Sequence, residues 1–101
     1  MREIKELSEL IDDEIDAACD YAEAAERATH DDLRHLYIEL SEAELGHIDR
    51  LHEKAKELIA ETRSKGIDPP AGMLGMWQHE HERMIRKVAQ ISMRLKVAEE
   101  M

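Results

Sequence analysis

Residues 40–51 read Leu-Ser-Glu-Ala-Glu-Leu-Gly-His-Ile-Asp-Arg-Leu. Leu40 and Leu51 stand three helical turns apart and share a face, and steps of four, three and four between them land on Glu44 and His47. The same line runs back through Tyr37 and Leu33 and on through Ala55 and Leu58, with Leu36 and Ile48 on its flank. The spacing predicts one helix over about 32–65, with two ionisable side chains on its apolar stripe. It should end at Lys65-Gly66, a basic last turn followed by a residue suited to the left-handed conformation. Pro69-Pro70 in the loop 66–72 cannot continue a helix, because proline lacks a donor and fixes φ.

Upstream, Ile4, Leu7, Ile11, Ala18, Tyr21, Ala25 and Ala28 mark a helix over about 3–28. Only Thr29-His30-Asp31-Asp32 separates it from the second helix, with Thr29 or Asp31 expected as the cap. Two helices so closely joined should form an antiparallel hairpin. Downstream, Leu74, Trp77, His81, Met84, Val88, Ile91, Leu95 and Ala98 mark a third helix over about 73–98. The whole chain, 1–101, is expected to be one all-α domain. Two Tyr, one Trp and no Phe leave little material for a sheet.

The 101 residues carry 24 acids against 14 bases, a net charge of −10. That balance disfavours nucleic acid, which needs basic patches, and an anionic membrane surface. No run approaches the roughly 18 apolar residues of a membrane span, and Met1–Glu14 has no apolar core of a leader. The expectation is a cytoplasmic protein. A lone Cys19 gives no internal disulfide. A chain this short encloses a thin core, so association with a second copy is expected.

In the first helix the step after Leu7 and Ile11 falls on Glu14, a carboxylate where an apolar side chain belongs. Buried charge is tolerated chiefly when paired or bound to metal. Folding the hairpin about residues 29–31 puts Glu14, Glu44 and His47 at one height, within a few helical rises of about 1.5 Å. Two carboxylates and an imidazole in one layer amount to half of a carboxylate-bridged di-iron centre, which takes Glu from two helices and Glu-x-x-His from two others. A two-fold dimer would complete the set, and such ligation suits Fe2+ or Mn2+. Tyr21 stands two turns from Glu14 on the same face, suited to packing or to tuning the site.

Glu14, Tyr21 and Glu44-Leu45-Gly46-His47 resemble the encapsulated ferritins over roughly residues 10–60. The resemblance implies a ferritin-like four-helix bundle formed at a dimer interface, with two iron ions held by Glu14, Glu44 and His47 of both chains. It implies a ferroxidase that oxidises Fe2+ with O2 for iron storage or detoxification, as a ring of dimers inside an encapsulin shell. Catalytic roles fall to Glu14, Glu44, His47 and Tyr21, and Asp13 and Asp16 stand where the family admits metal. The third helix is longer than the family's following segment, and Lys96–Met101 is unlike its apolar-basic cargo tail.

Other polar groups have simpler expectations. His81 is a hydrogen-bonded stripe residue, and His79, His30, His35 and His52 are exposed. With the third helix folded on the second about Pro69, residues 91–94 should face the metal layer, with His81 about 15 Å away. Asp13, Asp16, Asp20 and Glu23 form an acidic row that is a solvated face or a lure for Fe2+. Two other functions fit the pattern: a different di-metal oxidase or peroxidase, and a non-catalytic dimerising adaptor with a buried polar network.

Overall fold

A computed structural model describes residues 2–101 as three helices, α1 (Arg2–Arg27), α2 (Asp31–Ser64) and α3 (Ala71–Glu99). They form a rod of 55 × 17 × 17 Å. No strand occurs among the described residues, and none of their helices is long and apolar enough to cross a membrane.

The chain turns from α1 to α2 without a side-chain cap. His30 holds the N-cap position in extended conformation, and neither Thr29 nor Asp31 takes the role expected of it. Arg34 closes the corner instead, reaching back to Asp31 and to the Ala28 carbonyl at 2.8 Å each. The C-terminus of α2 follows its sequence signal. Gly66 adopts φ 76°, its N–H donates to the Arg63 carbonyl, and the Ile67 N–H donates to that of Thr62. This pairing satisfies carbonyls that a helix end leaves free.

The buried face of α1 is Ile4, Ser8, Ile11, Ile15, Ala18, Ala22 and Ala25. It is broader than the expected stripe because both other helices pack on it. Each fully buried isoleucine contributes about 1.5–3 kcal/mol. Small residues set the α1–α2 distance: the Ser41 hydroxyl donates to the Ala18 carbonyl at 2.7 Å, wholly buried. That contact and the level of Glu14 against His47 establish the antiparallel hairpin.

In α2 the chain's own core keeps Ala55 of the expected line and the flanking Ile48, but otherwise departs from it. Ile38, Ser41, Ile48, His52, Ala55 and Ile59 are buried. Tyr37, Leu40, Glu44, Leu51 and Leu58 are half-buried, while Leu33, Leu36 and His47 are exposed. The two lines lie about 100° apart on the helix. One is covered by α1 and α3. The other, with Leu7, Glu14, Tyr21 and Ala28 of α1, remains partly open.

α3 uses the predicted stripe, burying Ile91, Leu95 and Ala98. It leans mainly on α1, however, rather than on α2. Arg83 pairs with Asp12 and Arg94 with Glu26, so α3 runs along the flank of α1 that faces away from Glu14. Residues 91–94 therefore do not overlook the Glu14 layer. The geometry differs because α1, not α2, offers the wide small-residue face.

Candidate metal centre

Glu14 is presented by the middle of α1, and Glu44 and His47 by one turn of α2. Their ligand-capable atoms lie within 4.8 Å of one another, and no other group of three or more His, Cys, Asp or Glu does so among the described residues. His47 Nδ1 is 3.5 Å from Glu14 Oε2 and 3.6 Å from Glu44 Oε2. The side chains are 29%, 20% and 50% exposed for Glu14, Glu44 and His47, so the group sits at the margin of the core.

The approach of His47 to Glu14 is an ion-pair distance without hydrogen-bond alignment. Glu14 Oε2 is consequently buried with no hydrogen-bond partner. An unsatisfied buried carboxylate oxygen is costly, and a cation is the usual remedy. Bonds of about 2.0–2.2 Å to oxygen and nitrogen are typical of a divalent ion such as zinc, and donor atoms within 4.8 Å of one another are close enough to share one ion. The donor set fits: two hard carboxylates with one imidazole match Fe2+ or Mn2+. Three side chains would not complete the shell of such an ion, and the cluster lies on the half-open line of the hairpin. An open groove of about 650 Å³ leads from Glu14 and His47 along α2, past Asp49, Glu53 and Glu57 with Arg50 and Lys54 between them.

Tyr21 is half-buried on the same line as Glu14, about 10 Å away along the helix, and does not join the cluster within one chain. Asp13 is exposed. Asp16 is exposed on the far side of α1, lining a small cleft with Arg83, Lys87 and Arg94. Those cations offset its charge locally.

Two other groups escaped the sequence pattern. His52 is buried, not exposed: its Nε2 lies 2.6 Å from His81 Nδ1, and its ring stacks on both His81 and Trp77. Burial, with His81 alongside, holds the His52 imidazole below its ordinary pKa. Its position four after Ile48 and three before Ala55 was the available signal. The pairing also sets the register of α3, bringing residues of about 86–89, not 91–94, to the height of Glu44 and His47. His81 is thus nearer that height than the expected 15 Å, at about 7–12 Å of helix rise.

Glu80 is buried, and its Oε1 has no hydrogen-bond partner. Burial, together with the neighbouring Asp12 carboxyl, pushes its pKa up to about 7, although Arg83 acts the other way. It stands three after Trp77, four before Met84 and eleven before Ile91, so the stepping that marks Glu14 on α1 was the available signal here too. No family model, curated protein or solved structure matches the chain.

Proposed function

We propose that this chain is half of a ferritin-like di-metal centre that oxidises Fe2+ with O2. The observation that carries the proposal is the convergence of Glu14, Glu44 and His47 around a buried carboxylate oxygen that accepts no hydrogen bond, on a half-open face. Fe2+ is the substrate. Glu14 and Glu44 would hold it through carboxylate oxygens and offset the charge gained on oxidation, and His47 would bind through a neutral ring nitrogen. Two Fe2+ give one electron each to O2, which takes up two protons and leaves as hydrogen peroxide, and the Fe3+ formed is hydrolysed by water to oxide with release of protons.

The rest of the shell would be filled by the same three residues of a second copy. The half-open line of Leu7, Leu40, Leu51 and Tyr37, with exposed Leu10, Leu33 and Leu36, supplies the apolar surface for that contact. A two-fold axis through the Glu14 layer would bring two metals and a four-helix bundle together. A ring of such dimers, enclosure in an encapsulin shell, Mn2+ as the native metal, and an electron-carrying Tyr21 are extensions of this proposal.

The test is anaerobic loading of the purified chain with Fe2+, followed by admission of O2. Two irons per dimer and rapid formation of Fe3+ are expected, and Glu44→Ala should abolish both. Oxidation by Glu44→Ala at the unaltered rate overturns the proposal. An intact dimer that binds no iron would favour a buried polar network in an adaptor, which the His47 contacts to both carboxylates could also serve.

A further inference from the structure

Between the C-terminal half of α2 and the N-terminal half of α3 lies an open cleft of about 930 Å³. Its volume is within the size range of small-molecule sites. Its chemistry is graded along its length. Arg63 and Ser64 stand at the end near the α2–α3 loop, Ile59, Ala60, Leu74 and Gly75 line the middle, and Lys56, Trp77 and Gln78 close the other end. No carboxylate lines it, although the chain carries a net charge of −10.

Three features prepare this cleft for a ligand. The exposed Arg63 guanidinium has no hydrogen-bond or ion-pair partner among the described residues, a state it shares with Arg50 and Arg86, whereas Arg2, Arg34, Arg83 and Arg94 are each paired with a carboxylate. The Trp77 indole is braced by His52, with ring centroids 5.1 Å apart, and His52 is stacked in turn on His81. An aromatic wall held in one orientation loses little freedom when a ligand covers it. A Cβ at Gly75 would meet nothing within 4 Å, so a larger side chain there would extend into the open middle of the cleft.

We infer that this cleft binds a small amphipathic anion, a planar apolar body with one carboxylate. The carboxylate takes the unpaired fork of Arg63, which matches two oxygens at once. The body lies over Ile59 and Leu74 toward the Trp77 ring. Lys56 is engaged with Glu53 at 3.4 Å in an exposed pair of little strength, so it adds positive potential rather than a fixed contact. The cleft lies on the α3 side of α2, apart from the Glu14 layer, and does not depend on metal binding there.

Trp77 is the only tryptophan in the chain, so its indole N–H is a unique reporter in a nitrogen–proton correlation spectrum. The experiment titrates the labelled full chain with 2-naphthoate and, separately, with uncharged 2-naphthalenemethanol. Saturable movement of the Trp77 indole and Gly75 amide signals is expected with naphthoate, at a Kd about tenfold or more below that of the alcohol. Arg63→Gln should bring the two ligands to equal affinity. Gly75→Leu should abolish binding while retaining the fold, because leucine favours helix over glycine. Lys87→Gln, outside the cleft, should change nothing. Equal binding of both ligands by the unaltered chain, or naphthoate shifts that bypass Trp77, overturns the inference. So does a Trp77 signal that moves with protein concentration alone, which would show a second copy in the cleft.

Discussion

Two regions of this rod place ionisable side chains against its core, and they treat them differently. On the hairpin face, Glu14, Glu44 and His47 approach one another, yet a Glu14 oxygen accepts no hydrogen bond and the face stays partly open. On the α3 flank, Asp12 is taken by Arg83, and His52 is taken by His81. The residue types are similar. What differs is whether the chain supplies its own counter-groups. Charges matched internally hold helices together, whereas converging acceptors left short of a positive charge invite one from outside. Glu80 lies between these cases: it too has a buried oxygen without a hydrogen bond, but burial and Asp12 favour its protonated form. A proton answers the need there.

The contrast can be broken most sharply at the carboxylates themselves. Glu14→Ala is expected to lower Fe2+ oxidation by about a hundredfold or more, while Glu80→Gln leaves the rate within about twofold. Stopped-flow absorbance after mixing with O2 measures both, and equal losses would erase the distinction. Next in size is Arg83→Met, which leaves Asp12 beside Glu80 without a cation. A fully buried pair broken in this way costs about 3–5 kcal/mol, and partial exposure here reduces the expectation to about 1–2 kcal/mol by urea unfolding.

Acidity separates the regions further. Glu80 binds its proton in the folded chain up to about pH 7, against an ordinary value of 4.5. Its contribution is full below about pH 4.5 and is lost as pH rises from there to about 7, the range in which the unfolded state has released the proton and the folded state still holds it. His52 has the opposite sign. Its imidazole is held below 6.5, so its neutral stack is fully favourable above that value and weakens as pH falls. The Glu80 part of the pH profile is therefore a decline between about pH 4.5 and 7, opposed by His52 below 6.5, and Glu80→Gln should remove that decline in thermal melts. A decline that persists unchanged in the variant would place its origin elsewhere. The smallest effect belongs to Ser41→Ala, expected to cost about 1 kcal/mol through loss of one buried hydrogen bond to Ala18. A cost below about 0.3 kcal/mol would show that close helix packing alone sets the hairpin.

Much of this was legible in the residues. The three helices follow from stripes interrupted by Thr29–Asp32 and by Pro69-Pro70, and Gly66 ends α2 as its backbone freedom allows. The common height of Glu14, Glu44 and His47 followed from counting outward from a short turn, because rise per residue is nearly constant. The partner of each stripe was not legible. The Leu33–Tyr37–Leu40–Leu51–Ala55–Leu58 line looked like the core of α2, yet of that line the chain fully buries only Ala55, and it adds Ile38, Ile59 and the flanking Ile48. A helix with apolar residues over more than half its circumference does not say which arc meets its own chain. The choice depends on where α1 and α3 stand.

The same division holds for the site. Periodicity by itself determined three helices, an antiparallel hairpin and a polar layer across it, since each depends only on local geometry repeated along the chain. Tertiary structure alone decided that α3 lies on α1, that His52 is stacked between Trp77 and His81, and that Glu80 is buried beside Asp12. Those outcomes depend on which surfaces meet, and a helix's sequence records the surface without naming its neighbour.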